Sequence, residues 1–259
     1  MTRTVNYNEI SPVYNDRYKV SPLDGINNFL LNLISKYCPK QILEVGCGTC
    51  YWLNSINTNN ANLFGADYSI GMLKQAKESY CKNFMLINAD ANQLPLKKKY
   101  FDLILCINAI HHFSNYQKFI TDVSKLINPN GYFCIVGLDP RDKNTDWYLY
   151  KYFEGTFEMD LMRYPEFTTI QSVMDLFNFT NIKIEIVHSI SSQKIGEEVL
   201  TDHFIDKRGA SQLALLSDSE FQNGINKIKT DIANAKKYSQ EIIFNTKMNF
   251  YAITGQIKG

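Results

Sequence analysis

The 259-residue chain is 45% hydrophobic and 20% charged, with a formal net charge of +1, the make-up of a folded domain long enough for one sizeable core. So even a balance gives no electrostatic reason to expect nucleic acid or an anionic membrane as partner. The first residues lack the apolar stretch of a secretory signal, and no run approaches the roughly 18 apolar residues of a membrane span, so a cytoplasmic protein is expected.

Residues 1–37 are rich in tyrosine (Tyr7, Tyr14, Tyr18, Tyr37) and lead into a helix expected over 23–37, which Pro39 and Lys40 stop. From Gln41 onward, strand and helix signals alternate. Short β-like runs are expected at 41–45, 62–66 and 84–88, and a nearly all-apolar run at 101–107 reads as a strand buried on both faces. A fifth strand is expected at 132–138. Ser69 suits the N-cap of a helix running toward Tyr80. After Ser114, the spacing of Tyr116, Phe119, Ile120, Val123, Leu126 and Ile127 makes one helical face, which Asn128-Pro129-Asn130-Gly131 ends. Such alternation implies right-handed crossovers and a mainly parallel, doubly wound α/β sheet.

The last third reads differently. Ile182, Ile184 and Ile186 alternate with Lys183 and Glu185 as a sixth strand with one face to solvent, and 250–255 reads as a final strand. Between them Phe221, Ile225, Ile228 and Ile232 mark an amphipathic helix in a long insertion, either a substrate-side lid or a cover for the sheet edge. A single domain is expected: an N-terminal cap (1–38), a cofactor-binding core (39–140), and substrate-side insertions with the C-terminal strands (141–259).

The chemistry-bearing feature is Glu44-Val45-Gly46-Cys47-Gly48-Thr49-Cys50, a strand running into Gly-x-Gly before a helix-compatible stretch. Glycine allows the tight turn and lets a ligand lie against the main chain. Nucleotide sites of this kind want an acidic residue about 20 positions on, for the ribose hydroxyls. Asp67 stands there, at the end of the second strand. A dinucleotide fingerprint would place a third glycine at position 51, where this chain has Tyr51, so a nucleoside without a pyrophosphate fits better than NAD. Cys47 and Cys50 form a C-x-x-C that also reads as a redox pair or half a metal site, but no second ligand pair at matching spacing accompanies it. Cys38 and Cys81 carry no motif, and Cys106 and Cys134 read as small buried hydrophobes.

These residues resemble the first motif of class I S-adenosylmethionine-dependent methyltransferases, of the small-molecule type that includes ubiquinone-biosynthesis enzymes. The resemblance continues at Asp67, Asp90-Ala91, Phe101-Asp102, Ala109 to Phe113 and Leu126 to Gly131, and covers about residues 36–140. It implies a seven-stranded sheet ordered 3-2-1-4-5-7-6 with the seventh strand antiparallel. It also implies S-adenosyl-L-methionine as cofactor and a small-molecule substrate, with no nucleic acid or membrane partner, in a monomer or homodimer. By position, Gly46, Cys47 and Gly48 would pass beneath the methionine portion, with Glu44 holding the loop. Asp67 would accept from the ribose, Tyr68 and Met72 would border the adenine, Asp90 and Ala91 would bind its edge, and Asn108 would line the methionine side. The stretch around His112 also resembles the phosphoethanolamine methyltransferases, in which a histidine at this place pairs with an N-terminal tyrosine. Tyr7 is the nearest match, and an ordinary histidine pKa near 6.5 would suit His112 to take a proton from the acceptor.

Plainer readings stand beside these. Asp67 could cap the next helix, Asp90 be a loop carboxylate, Asn108 end its strand, the tyrosines pack, and His112 cap or pack with His111. An NAD-dependent oxidoreductase and a non-catalytic cofactor-binding scaffold are the competing functions.

Overall fold

The computed structural model describes residues 5–56, 60–80 and 84–259. Cys81 and residues 1–4 lie outside them. Three N-terminal pieces come first: helix α1 (Tyr7–Ile10), α2 (Asp16–Val20) and α3 (Asp24–Tyr37). The expected strands then follow as β1 (Gln41–Val45), β2 (Asn62–Asp67), β3 (Met85–Asn88), β4 (Phe101–Ile107) and β5 (Ile127–Leu138), separated by α4 (Tyr51–Ser55), α5 (Ile70–Ser79) and α6 (Tyr116–Leu126). Ser69 is the N-cap of α5, its hydroxyl accepting from the Met72 amide.

Beyond β5 come a two-residue strand β6 (Asp146–Trp147), helices α7 (Tyr148–Tyr152), α8 (Thr156–Arg163) and α9 (Phe167–Leu176), then β7 (Phe179–Ile195). Helices α10 (Ser211–Ala214) and α11 (Asp218–Lys237) lead to the last strand, β8 (Ile243–Ile257). The sheet runs β3-β2-β1-β4-β5-β8-β6, with β7 paired to β8. The first five strands are parallel, and β8 lies antiparallel between β5 and β7. With β7 and β8 counted as the sixth and seventh, this is the expected order, and β6 is an addition that pairs with β8 at Lys247 and Thr246.

Alternate residues of the central strands feed two cores. Ile42, Leu103, Leu105, Cys134 and Val136 face α3, α4 and the insertion helices, where Leu30, Trp52, Phe153 and Ile228 are buried. Leu43, Val45, Ile104, Cys106, Phe133 and Ile135 face α6 and α9, where Phe119, Ile120 and Ile170 are buried. Burial on both sides explains why these strands read as continuous apolar runs. The two C-terminal strands are longer than expected because β7 and β8 form one antiparallel ribbon from Phe179↔Ile257 to Ile195↔Ile243, extending beyond β5. β7 is an edge strand, and Ile184 and Ile186 are exposed on it along with Lys183 and Glu185.

Asp102, expected only as part of a family motif, ties the bottom of the sheet. One carboxylate oxygen accepts from the amides of Lys40 and Gln41 (2.8 and 2.9 Å), and the other accepts from Asn128 Nδ2 (2.8 Å). Asp102→Ala should lose about 1–3 kcal/mol of stability in urea denaturation, the cost of leaving such donors unpaired. Ligand binding at the opposite end of the strands should not change.

Candidate active site

The carboxyl ends of β1, β2 and β4 converge on a cavity of about 740 Å³, the place where open α/β sheets bind ligands. Its floor is the loop after β1. Gly46 has φ +74°, and a Cβ there would stand 2.4 Å from Cβ of Ala109. Gly48 has φ +52°, and a Cβ there would rise into the space beneath the Tyr14 ring. The loop is pinned from β2: the Gly46 and Cys47 amides donate to the Ala66 carbonyl (2.8 and 3.1 Å), and the Gly48 amide donates to Oδ2 of Asp67 (2.7 Å).

Asp67 therefore does two things. Its other oxygen accepts from the Ser69 amide (2.8 Å) at the start of α5, so the plainer capping reading is partly realised. A carboxylate offers about four lone-pair sites, which leaves two for a ribose diol. Desolvation raises its proton affinity, and the two backbone donors oppose that. Tyr68, largely exposed, and Met72, fully buried, line the same cavity with Asp90, Ala91 and Asn108. Asp90 Oδ1 accepts from the amide and side chain of Asn92 (2.8 and 3.1 Å), and the Ala91 amide has no acceptor among the described residues. Asn108 holds φ +51°, a conformation asparagine tolerates better than most residues, while its amide bonds the Val136 carbonyl.

Two expected site residues do not line the cavity. Cys47 is buried with Cys50 under Gly65, so only its backbone can meet a ligand. Glu44 does not hold the loop by hydrogen bonds, contrary to expectation: both carboxylate oxygens are buried without a partner. Desolvation, then Cys50 and Asp67, push its pKa well up. The loop is held by Asp67 and the Ala66 carbonyl instead, because they sit on the adjacent strand, level with the amides.

Tyr7 and His112, 105 residues apart in sequence, meet at the cavity wall with Oη and Nε2 2.6 Å apart and the rings edge-on. The expectation of an ordinary histidine pKa is corrected here. Desolvation by the surrounding side chains, then the Arg163 and Arg17 guanidinium groups, bring His112 down to about 3, although the residue is exposed along the open cavity. Burial likewise keeps the Tyr7 phenol neutral. With both rings neutral, the imidazole tautomer sets which of Oη and Nε2 donates. His111 is buried, stacks on Tyr164 (4.1 Å, 12°) and lines the same cavity.

The motifs did not reveal several neighbours. Asn8 Oδ1 accepts from the Ser69 hydroxyl and the Gly71 amide (2.8 and 2.9 Å), fastening the N-terminal segment to α5. Arg17 lies over the Tyr14 ring (3.8 Å), and Arg163 is paired with buried Asp160 (2.6 Å). Only the chain's folding brings these to the site, and no local pattern marks them.

Residues 43–135 match the methyltransferase domain family. The chain is 29% identical over 158 residues to the malonyl-[acyl-carrier protein] O-methyltransferase of Legionella pneumophila, covering 56% of this chain and 55% of that protein. It thus spans about half the length of this curated relative. Among solved structures it is similar to YcgJ protein from Bacillus subtilis (TM-score 0.61, 17% identity, 90% of this chain and 98% of that one). It is also similar to the [4+2]-cyclase SpnF (TM-score 0.56, 13% identity, 100% and 98%). The chain shares the α/β fold of these solved structures, and residues 43–135 within it are similar to the methyltransferase domain family.

Both histidine pKa values lie below the unfolded value of 6.5. The unfolded chain therefore takes up these protons first as pH falls. Their contribution to stability is complete above about pH 6.5 and is lost on acidification toward the folded values. Ring-proton NMR of the folded protein should show no His112 inflection between pH 8 and 5. An inflection near 6.5 would show that the surrounding cations do not act on it.

Proposed function

We propose that this chain transfers a methyl group from S-adenosyl-L-methionine to a small-molecule acceptor. The observation that carries the reading is one cavity with a two-glycine floor and two carboxylates, Asp67 and Asp90, on its rim, opening onto the Tyr7–His112 pair. The residues suit a sulfonium nucleoside. The floor admits a chain where a Cβ would obstruct it, and Asp67 keeps lone pairs for vicinal hydroxyls. No pyrophosphate cradle accompanies the loop, since Tyr51 takes the position of the third glycine and stacks on Tyr18 (3.8 Å).

When bound, the sulfonium supplies an electrophilic methyl, so the protein's main task is alignment in a water-poor space. In this reading Gly46 and Gly48 set the depth of the cofactor, Asp67 and Asp90 with the Ala91 amide set its rotation, and Asn108 borders the reacting end. The N-terminal segment, fastened through Asn8 to α5 and through Asn15 to Thr49 (2.6 Å), covers the cavity and excludes water. With the Tyr7 O–H facing Nε2 of His112, a hydroxyl or ammonium acceptor would give its proton to Tyr7 Oη as the phenol passes its own to Nε2. A nucleophile that needs no deprotonation would use the pair for positioning alone.

S-adenosylhomocysteine should raise the melting temperature through mass action. Asp67→Ala should weaken its binding by about 1.5–3 kcal/mol, with circular dichroism confirming the fold. Methyl-labelled cofactor incubated with a metabolite extract should label a small molecule, and no labelled product would leave a binding protein on the same fold. At saturating cofactor, His112→Ala should lower turnover by roughly 10²–10⁴ without changing cofactor affinity, whereas turnover unchanged in His112→Ala but lost in His111→Ala would reverse the assignment.

A further inference from the structure

Behind the Tyr7–His112 pair lies a second cavity of about 130 Å³, which shares Tyr7, Tyr14, Asn108, His111 and His112 with the first. Much of its wall is apolar: Leu23, Leu138, Trp147, Ile190, Met248 and Phe250. An apolar cavity of about 150 Å³ holds benzene, so this one has room for about one ring.

Its charge is one-sided. The lining contains no aspartate or glutamate, and its basic members are Arg17, His111, His112 and His203. His203 faces Asp202 (3.2 Å), and both His111 and His112 are held neutral. Arg17 is different. Its Nε donates to the Tyr14 carbonyl (3.1 Å), and no carboxylate pairs with its terminal nitrogens among the described residues. The neighbouring Asp16 is engaged with Lys19 (2.7 Å). Two unpartnered polar atoms of the lining are donors: Trp147 Nε1 and Gln212 Nε2 are buried nitrogens without an acceptor. Buried donors call for an acceptor, and an unpaired guanidinium calls for an anion.

We infer that this cavity receives the methyl acceptor, and that the acceptor is a small molecule with about one ring's worth of apolar body and an oxyanion, carboxylate or phosphate, held by Arg17. The inference rests on the methyl-transfer reading for its name as the acceptor site. The preference for an anion rests on the lining alone. Binding of an oxyanion there would also neutralise one of the two cations that, after desolvation, lower the proton affinity of His112. The charged and titratable groups facing that ring are Arg17, Arg163, Tyr7, His111 and Tyr164, and among them only the two arginines carry charge near neutral pH. Acceptor binding would then bring the base closer to working range.

The test uses calorimetry on the full chain, first with S-adenosylhomocysteine and then, on the saturated protein, with benzoate, phenyl phosphate, benzylamine and benzyl alcohol as probes. At least one anion should bind, and the tighter of the two distinguishes carboxylate from phosphate. Benzylamine and benzyl alcohol should bind at least about tenfold more weakly than that anion. Arg17→Gln should weaken the anion roughly ten- to hundredfold, as for a charge-assisted hydrogen bond. Arg17→Lys should retain part of the affinity, and S-adenosylhomocysteine binding should be unchanged in both. The inference is overturned if neither anion binds, if the amine or alcohol binds as well as the anions, or if Arg17→Gln and Arg17→Lys both bind them like the parent. Absence of S-adenosylhomocysteine binding would instead count against the methyl-transfer reading. The same four probes on the unliganded protein would then test the pocket by itself.

Discussion

The arrangement of the site depends on how the end of β1 is fastened to the end of β2. Three consecutive amides, those of Gly46, Cys47 and Gly48, donate to the Ala66 carbonyl and the Asp67 carboxylate. This uses up the loop's donors in fixing its own shape, so the turn is rigid before any ligand arrives. The two left-handed glycines and the close approach of Ala109 to Gly46 follow from that shape. So does the position of the Asp67 carboxylate at the cavity rim.

The two adjoining cavities present opposite electrostatics across a thin wall. On the larger side the lining carries the carboxylates of Asp67 and Asp90, and its guanidinium, Arg163, is paired with Asp160. On the smaller side an unpaired arginine faces tyrosines, His111, His112 and an apolar wall. Tyr7, Asn108 and His112 belong to both. A site divided in this way can hold a cationic sulfonium and an anionic acceptor apart while bringing their reacting ends together at the dividing residues. Opposite charge within each half would orient both ligands, which suits a reaction whose main requirement is alignment.

The N-terminal segment contributes to both halves without belonging to the sheet. Asn8 and Asn15 bond to α5 and to the glycine loop, and Tyr7, Tyr14 and Arg17 project between those anchors. Its helices are short, so its order depends on these tertiary contacts and on aromatic packing of Tyr18 against Tyr51 and Trp52. An element held by few contacts is the natural one to open for ligand exchange.

What could be read from the sequence was what depends on local pattern. The central strands announced themselves because burial on both faces makes continuous apolar runs. Ser69 did so because capping is a matter of adjacent residues, and the glycine loop with Asp67 because its spacing reflects one strand-helix-strand unit. Beyond residue 140, antiparallel pairing decides instead. β7 and β8 extend each other past the sheet, and α7 to α10 lack a period long enough to recognise. Family resemblance suggests the Tyr7–His112 contact but not the proton affinity of that histidine. It is set by desolvation and by Arg163 and Arg17, which come from α8 and α2 and bear no motif. The order of the elements and the identity of the loop were determined by the sequence alone, because they depend on neighbours in the chain. The charge of the smaller cavity and the ionisation of His111 and His112 were decided only by the tertiary structure, because electrostatic fields add over groups that are distant in the chain and close in space.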